Sequence, residues 1–396
     1  MNTRKRRYWC GYVYIISFAS PLFILLINFQ IFEWKPNIYD QNENRPKYCD
    51  QSIIRKHYMY DQSPEQLFAR DPIRTPFTYE ISNENFCSFI NPHALIFVVS
   101  KSTNFGSRSA IRRTWGNLKH VTSMKEFAHL RLKLLFFLDI DETHLLSVKL
   151  EQSVYNDLVQ ARLPQHYTLS TYRDMAILHW TEEYCSQALM TIKTDDDIFL
   201  NIFLLANLLN NITSNMMINR SQTECKYIQN FDSSAIIYGV KFKDAPVIRH
   251  TSDLKLDRAR YIITDDEYPC TYYPDYMSGF GYIINQNARL KLLCAFFRLE
   301  KLFPMSDAYV TGVLPEYMNI KRQSLHFKIN FETTNNCDLF FHKIKAYACA
   351  SSLHYRNDES SSLIDIDIFQ TFNIYWKRVY SNRWIYKKQI RYLYYN

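Results

Sequence analysis

The chain has 396 residues, with 47 Lys and Arg against 39 Asp and Glu, a formal surplus of +8. That surplus sits at the ends: Arg4, Lys5, Arg6 and Arg7 open the chain, and Lys377, Arg378, Arg383, Lys387, Lys388 and Arg391 fall near its close. The part between is slightly acidic, which excludes a body built to bind nucleic acid.

In chain order, the basic residues precede an uncharged stretch from Tyr8 to Phe32. It is long enough to cross a bilayer as a helix, and the basic flank predicts a cytoplasmic N-terminus. A signal peptide is the competing reading, but its apolar region would be shorter, and no small-x-small cleavage site stands near Phe32. The expected organisation is a cytoplasmic tail (1–7), a signal anchor (8–32) and a lumenal stem with a lead-in (33–91). A catalytic domain (92–367) and a basic aromatic extension (368–396) follow. The extension reads as solvated, with membrane headgroups or an acidic partner as the alternative.

After Cys10 eight cysteines remain, at 49, 87, 185, 225, 270, 294, 337 and 349. An even number permits disulfides in an oxidising lumen without assigning them. Asn211 and Asn219 head glycosylation acceptor triplets. His93–Val99 and Leu132–Leu138 read as strands, and Ser107–Trp115, His144–Val159 and Met175–Cys185 as helices. Ala188–Ile192 reads as a strand, Ile198–Leu209 as a helix and Ala235–Gly239 as a further strand. The alternation predicts an α/β fold with helices on both faces of a sheet.

The richest stretch is Lys193-Thr-Asp195-Asp196-Asp197-Ile-Phe199, at the end of the Ala188–Ile192 strand. Along an extended chain Asp195 and Asp197 share a face and Asp196 points away. Converging carboxylates at a strand end fit a divalent cation that bridges to phosphate oxygens. A solvated acidic turn or a helix cap is the plainer alternative. Glycine is scarce, at seven residues. Gly279, Gly281 and Gly312 are therefore expected where the backbone turns sharply or meets a ligand.

Four segments follow one another in order: Arg108-x-x-Ile111-Arg112-x-Thr114-Trp115, Glu151-x-x-x-Tyr155-x-Asp157, Lys193–Phe199 and Tyr273-Pro-x-Tyr276-x-x-Gly279-x-Gly281-Tyr282. Together they resemble the β-1,3-galactosyltransferase family, which also holds β-1,3-N-acetylglucosaminyl- and N-acetylgalactosaminyltransferases. The resemblance runs from about His93 to His354. It implies a nucleotide-sugar-binding fold of the glycosyltransferase-A type, with a mixed central sheet flanked by helices behind an N-terminal transmembrane helix. It also implies an inverting transferase of the Golgi membrane that uses a UDP-sugar, Mn2+ and a glycan acceptor on protein or lipid.

On that resemblance, Asp197 binds the metal with Asp195 beside it, the ribose or a metal-bound water being the alternative for Asp195, and His354 is the third ligand with His342 as runner-up. Asp307 is the catalytic base. Arg108, Arg112, Lys193, Asp195, Gly279 and Gly281 serve the donor. For the arginines, pairing with Glu151 or Asp157 is the alternative; for Lys193, pairing with an aspartate. Trp115, Glu151, Tyr155 and Asp157 are read as scaffold. The chain departs from the family at Ser306-Asp307-Ala308 (usually Glu-Asp-Val), at Gln165–Thr171 and at Leu138-Asp139 (usually Leu-Gly). A relative that binds UDP-sugar without transfer is the alternative function, and a metal-dependent phosphoesterase a third.

Overall fold

The computed structural model describes residues 45–58, 77–214, 234–249, 261–297, 301–325, 328–330, 346–350 and 361–384. All belong to one unit, Asn44–Asn396. The helices used below are α1 (Gln51–Tyr58), α2 (Phe105–Arg113), α3 (Leu145–Tyr155), α4 (Ser170–Cys185), α5 (Ile202–Ser214), α6 (Gln286–Phe296), α7 (Ser306–Ala308), α8 (Leu314–Met318) and α9 (Ser361–Ser381). The strands are β1 (Tyr79–Ile81), β2 (Ala94–Ser100), β3 (Leu132–Ile140), β4 (Leu158–Pro164), β5 (Met190–Asp195), β6 (Ile198–Leu200), β7 (Ile236–Phe242), β8 (Tyr276–Asn285), β9 (Lys321–Ser324), β10 (Lys328–Asn330) and β11 (Ala346–Ala350).

Eight strands form one sheet in the order β1-β4-β3-β2-β5-β8-β7-β9. The central run β4-β3-β2-β5 is parallel, while β8 lies antiparallel to both β5 and β7. β2 shows why the run is apolar throughout. Leu95 and Phe97 point to one packed layer and Ile96 and Val98 to the other, and all four are fully buried. A parallel strand covered on both faces needs this composition, and each such side chain contributes about 1.5–3 kcal/mol. The chain winds outward through β2, β3 and β4, then returns to the other side of β2 as β5. That reversal opens a crevice beyond the carboxyl ends of β2 and β5, where ligands of such sheets collect.

Three sequence expectations change. His144–Val159 divides into helix α3 and strand β4, because Asn156 turns left-handed (φ 52°) after the helix. The run after Asp197 first forms β6, which pairs with β11, before α5 begins. The described part of the lead-in, residues 45–58 and 77–91, is packed on the domain rather than a free stem. Ile54 and Tyr58 of α1 are buried, β1 pairs with β4, and disulfides join Cys49 to Cys270 and Cys87 to Cys185. Cys294 and Cys349 are disulfide-bonded too.

For the described residues 368–384, the expected solvated extension is also revised. Helix α9 runs without a break through the proposed boundary at 367/368. Ile368, Phe372, Tyr375 and Val379 recur at spacings of three and four and are buried, the stripe of a core-facing helix. Phe372 and Tyr375 meet Phe199 at ring separations of 5.6 and 5.5 Å, and Trp376 stacks on Phe203. Among the described residues no helix is long and apolar enough to cross a membrane; Tyr8–Phe32 lies outside them.

Candidate active site

The acidic triplet straddles the end of β5. Asp195 is the last strand residue, and Asp196 and Asp197 form a turn before β6. Strand alternation therefore does not relate Asp195 to Asp197, contrary to the extended reading. The turn is fixed by Asp196. Its amide donates to the Val99 carbonyl on β2 at 3.0 Å. Its carboxylate accepts from Ser100 Oγ at 2.6 Å and Asn104 Nδ2 at 3.0 Å. Burial, then the charge of Asp197, pushes Asp196 up to about 6, against the pull of those two hydrogen bonds.

Behind Ser100 lies Arg108, only 1% exposed. Its Nη1 donates to Ser100 Oγ and the Lys101 carbonyl, and Nη2 to the Ser102 carbonyl, while Nε and Nη2 grip Glu151 at 2.9 and 2.6 Å. Arg112 joins the network through Glu151 and Asp157, with Phe136 and Tyr155 rings against its guanidinium. These contacts use every N–H of Arg108 and leave none for a diphosphate. The ion-pair alternative therefore replaces the donor-binding reading of Arg108; Arg112 is held by the same carboxylates, with its Nη1 buried and without a hydrogen-bond partner. Arg108 reaches the acidic turn through Ser100, and its charge also pulls the Asp196 pKa down. Trp115 is fully buried in the core.

Lys193 and Asp195 share the sheet face covered by α4, where Lys193 stands opposite Tyr282. The lysine Nζ binds Asp195 Oδ1 at 2.8 Å and the Gly279 carbonyl at 3.4 Å. Burial opposes its charge, but Asp195, then Asp174 and Asp307, outweigh burial and hold its pKa above the ordinary lysine value. Asp195 is 36% exposed on its side chain. Confinement in the crevice and the nearby Asp197 raise its pKa, and Lys193 lowers it.

Asp307 sits in α7, which continues through a π-helical turn, Tyr309–Val313, into α8. The α4 hydroxyls hold the loop before it: Thr171 donates to the Phe303 carbonyl at 2.6 Å, and Ser170 to the Pro304 carbonyl. Asp307 Oδ1 accepts from the Ala308 amide at 2.9 Å. Burial pushes this carboxyl up to about 6; the Ala308 amide and Lys193 pull down, and Asp174 and Asp195 add to the rise.

No glycine among the described residues has a positive φ, so the turn reading of these glycines is corrected. Gly279 and Gly281 lie within β8, and Gly281 is buried. A Cβ on Gly279 would stand 3.5 Å from Asp307 Oδ2, so its bare backbone leaves the base uncovered. A Cβ on Gly312 would come 3.0 Å from Tyr276 Cβ, so this glycine lets the π-helical turn close on β8.

Lys193, Asp195, Gly279 and Asp307 thus come together, and Asp197 follows in the turn. Asn211 is half-buried in α5. His354, His342 and Asn219 lie outside the described residues. Sequence reasoning passed over two α4 residues at this crevice. Arg173 is clamped on buried Asp139 of β3 and feels the charges of Asp174 and Asp195. Asp174 accepts from Tyr282 Oη at 2.8 Å. Their only signal was position, in the first turns of the helix that leads into the acidic strand.

Among the described residues no group of three Asp, Glu, His or Cys side chains is set to hold a metal. The donor chemistry nonetheless fits one. Asp195 and Asp197 offer hard oxygens, and their mutual repulsion raises Asp195. Two such carboxylates suit an ion that takes its remaining ligands from phosphates and water.

Residues 106–326 match a family profile described as galactosyltransferase. The chain is 27% identical over 259 residues to lactosylceramide 1,3-N-acetyl-beta-D-glucosaminyltransferase B of Danio rerio, covering 63% of this chain and 60% of that one. It is 28% identical over 239 residues to UDP-GalNAc:beta-1,3-N-acetylgalactosaminyltransferase 1 of Mus musculus, covering 59% and 61%. It is 25% identical over 250 residues to beta-1,3-galactosyltransferase bre-2 of Caenorhabditis elegans, covering 62% and 63%. The matched part spans about three fifths of the length of each of these three relatives.

Proposed function

The chain belongs to the galactosyltransferase family, and from that premise we propose that it is an inverting β-1,3-glycosyltransferase. It moves galactose or an N-acetylhexosamine from a UDP-sugar to a glycan acceptor on protein or lipid. The fold is read as the nucleotide-sugar-binding glycosyltransferase-A type. The observation that carries the proposal is the shared lysine: Lys193 binds Asp195 on the donor side and the Gly279 carbonyl in front of Asp307.

Inversion needs one displacement at the sugar's anomeric carbon. The acceptor hydroxyl enters beside Gly279, the new C–O bond forms as the bond to UDP breaks, and Asp307 takes the hydroxyl proton. A base so placed contributes about 10²–10⁴-fold. Lys193 keeps a positive charge near the departing diphosphate, and the Glu151–Arg108–Ser100–Asp196 chain holds the turn that presents Asp195 and Asp197. These two carboxylates, with His354 as the proposed third ligand, would hold Mn2+, whose chemistry there is Lewis-acid neutralisation of the diphosphate.

Golgi residence as a type II membrane protein, with Tyr8–Phe32 as anchor, is part of the proposal. The disulfides support it, since such bonds persist in oxidising compartments. The test is a panel of UDP-galactose, UDP-N-acetylglucosamine and UDP-N-acetylgalactosamine with Mn2+, followed by linkage analysis of the product. Asp197→Ala should abolish transfer; full turnover by that variant would remove the basis of the assignment.

A further inference from the structure

Helix α3 has two unlike faces. Val148 and Glu151 are buried on its inner face, where Glu151 grips Arg108 and Arg112. On its outer face Leu146, Leu150 and Val154 are exposed to 73%, 60% and 72%. At about 100° per residue these three, spaced by four, form one ridge along the helix. The same geometry sets Ser147 and Ser153 on either side of the ridge. Both hydroxyls are satisfied locally: Ser147 Oγ donates to the His144 carbonyl at 2.8 Å and Ser153 Oγ to the Leu150 carbonyl at 2.7 Å. Among the exposed residues of α3 the one charged side chain is Lys149, tied to Glu80 of β1 at 2.6 Å. The ridge exposes roughly 350 Å² of apolar surface, a size at which the largest patch of a monomer is often functional.

We propose that this face is a two-fold interface between two copies of the chain. The ridge is self-complementary, as an isologous interface requires. An axis through Leu150 sets Leu150 on its own counterpart and Leu146 on the other copy's Val154, and the reverse. Ridges of this spacing interdigitate when two helices cross at about −50°. Charge agrees with the pairing. A charged side chain at a two-fold axis meets itself, and here the ridge and its two serine flanks carry none. A lipid surface fits less well, because helices that lie on one set free Lys and Arg beside the apolar face, and Lys149 is already paired with Glu80. A standard interface covers about 800 Å² on each side. The ridge supplies its apolar centre, and the serines and their neighbours its polar rim. The paired helix is also the one whose inner face holds Glu151 against the arginines, so pairing braces the network behind the acidic turn.

The measurement is the mass of the full chain in detergent, by light scattering with the detergent subtracted, over a dilution series. The wild type should be a dimer at about 10 µM and dissociate on further dilution. Leu150→Asp and Leu150→Lys each bring two like charges to the axis and should weaken association at least about 100-fold. An equimolar mixture of the two should restore the dimer, because a carboxylate then faces an ammonium. Leu150 is 60% exposed, so both variants should keep the far-UV circular dichroism of the wild type. If either does not fold, the double change Leu146→Ala and Val154→Ala carries the same expectation of dissociation. A monomeric wild type overturns the inference and leaves the face to a lipid surface or an unrelated protein. A dimer that survives these substitutions overturns it as well, since the copies then meet elsewhere. Dissociation by both charged variants without rescue on mixing puts Leu150 off the axis and overturns the two-fold pairing.

Discussion

Replacing Asp196 by asparagine should stabilise the protein, although Asp196 stands in the middle of the acidic motif. The carboxylate is 9% exposed and is pushed up to about 6 from an ordinary 3.8. The folded state therefore binds its proton more tightly than the unfolded chain does. The sign follows: between those two values the folded state holds more protons, so the penalty is absent at low pH and grows as pH rises through 6. Above pH 7 it reaches about 3 kcal/mol, two pK units at 1.36 kcal/mol each. Asparagine keeps an oxygen for Ser100 and Asn104 and removes the charge. It should therefore gain about 1–3 kcal/mol at pH 7.5, the range allowing for its new amide donors, and less than about 1 kcal/mol at pH 4. Urea unfolding in EDTA at both pH values measures this directly. A variant less stable than wild type at pH 7.5, or a difference independent of pH, would refute the electrostatic account of the turn.

Three further outcomes follow from the same geometry. Asp307→Asn should lower kcat by about 10²–10⁴-fold. Because its carboxyl is raised to about 6, wild-type kcat/KM for the acceptor should fall about tenfold between pH 7 and pH 5 as the base becomes protonated; a flat profile there contradicts the assignment. Glu151→Ala strands the buried Arg108 guanidinium and should cost about 3–5 kcal/mol in chemical denaturation. Opening Cys87–Cys185, which closes a loop of 98 residues, should cost about 4–5 kcal/mol on the chain-entropy account, read as a lower melting temperature for the double serine variant.

Much of the parallel core was legible because its strands are continuous apolar runs, as β2 and β3 show. The acidic strand end was legible for a similar reason, since charge breaks abruptly into such a run at Lys193. The sequence left the role of Arg108 open between donor and ion pair because it carries no mark of its partner: Glu151 lies 43 residues on, and only folding sets the two in one buried pair. Glycine scarcity pointed to the right segment for the wrong reason. Gly279 matters through the side chain it lacks opposite Asp307, not through a turn. Asp174 and Tyr282 were hidden because their pairing spans 108 residues. The terminal helix was missed because its basic, tyrosine-rich last residues masked the apolar stripe of Ile368, Phe372, Tyr375 and Val379.

The docking of α9 has a consequence for how the protein is made. Phe372 and Tyr375 press on Phe199, two residues beyond Asp197. The wall beneath the carboxylate turn thus comes in part from a helix far downstream of it in the chain. A nascent chain halted before residue 361 would carry every residue of the acidic motif without the two rings that press on Phe199. Full seating of the turn would then wait until α9 has been made.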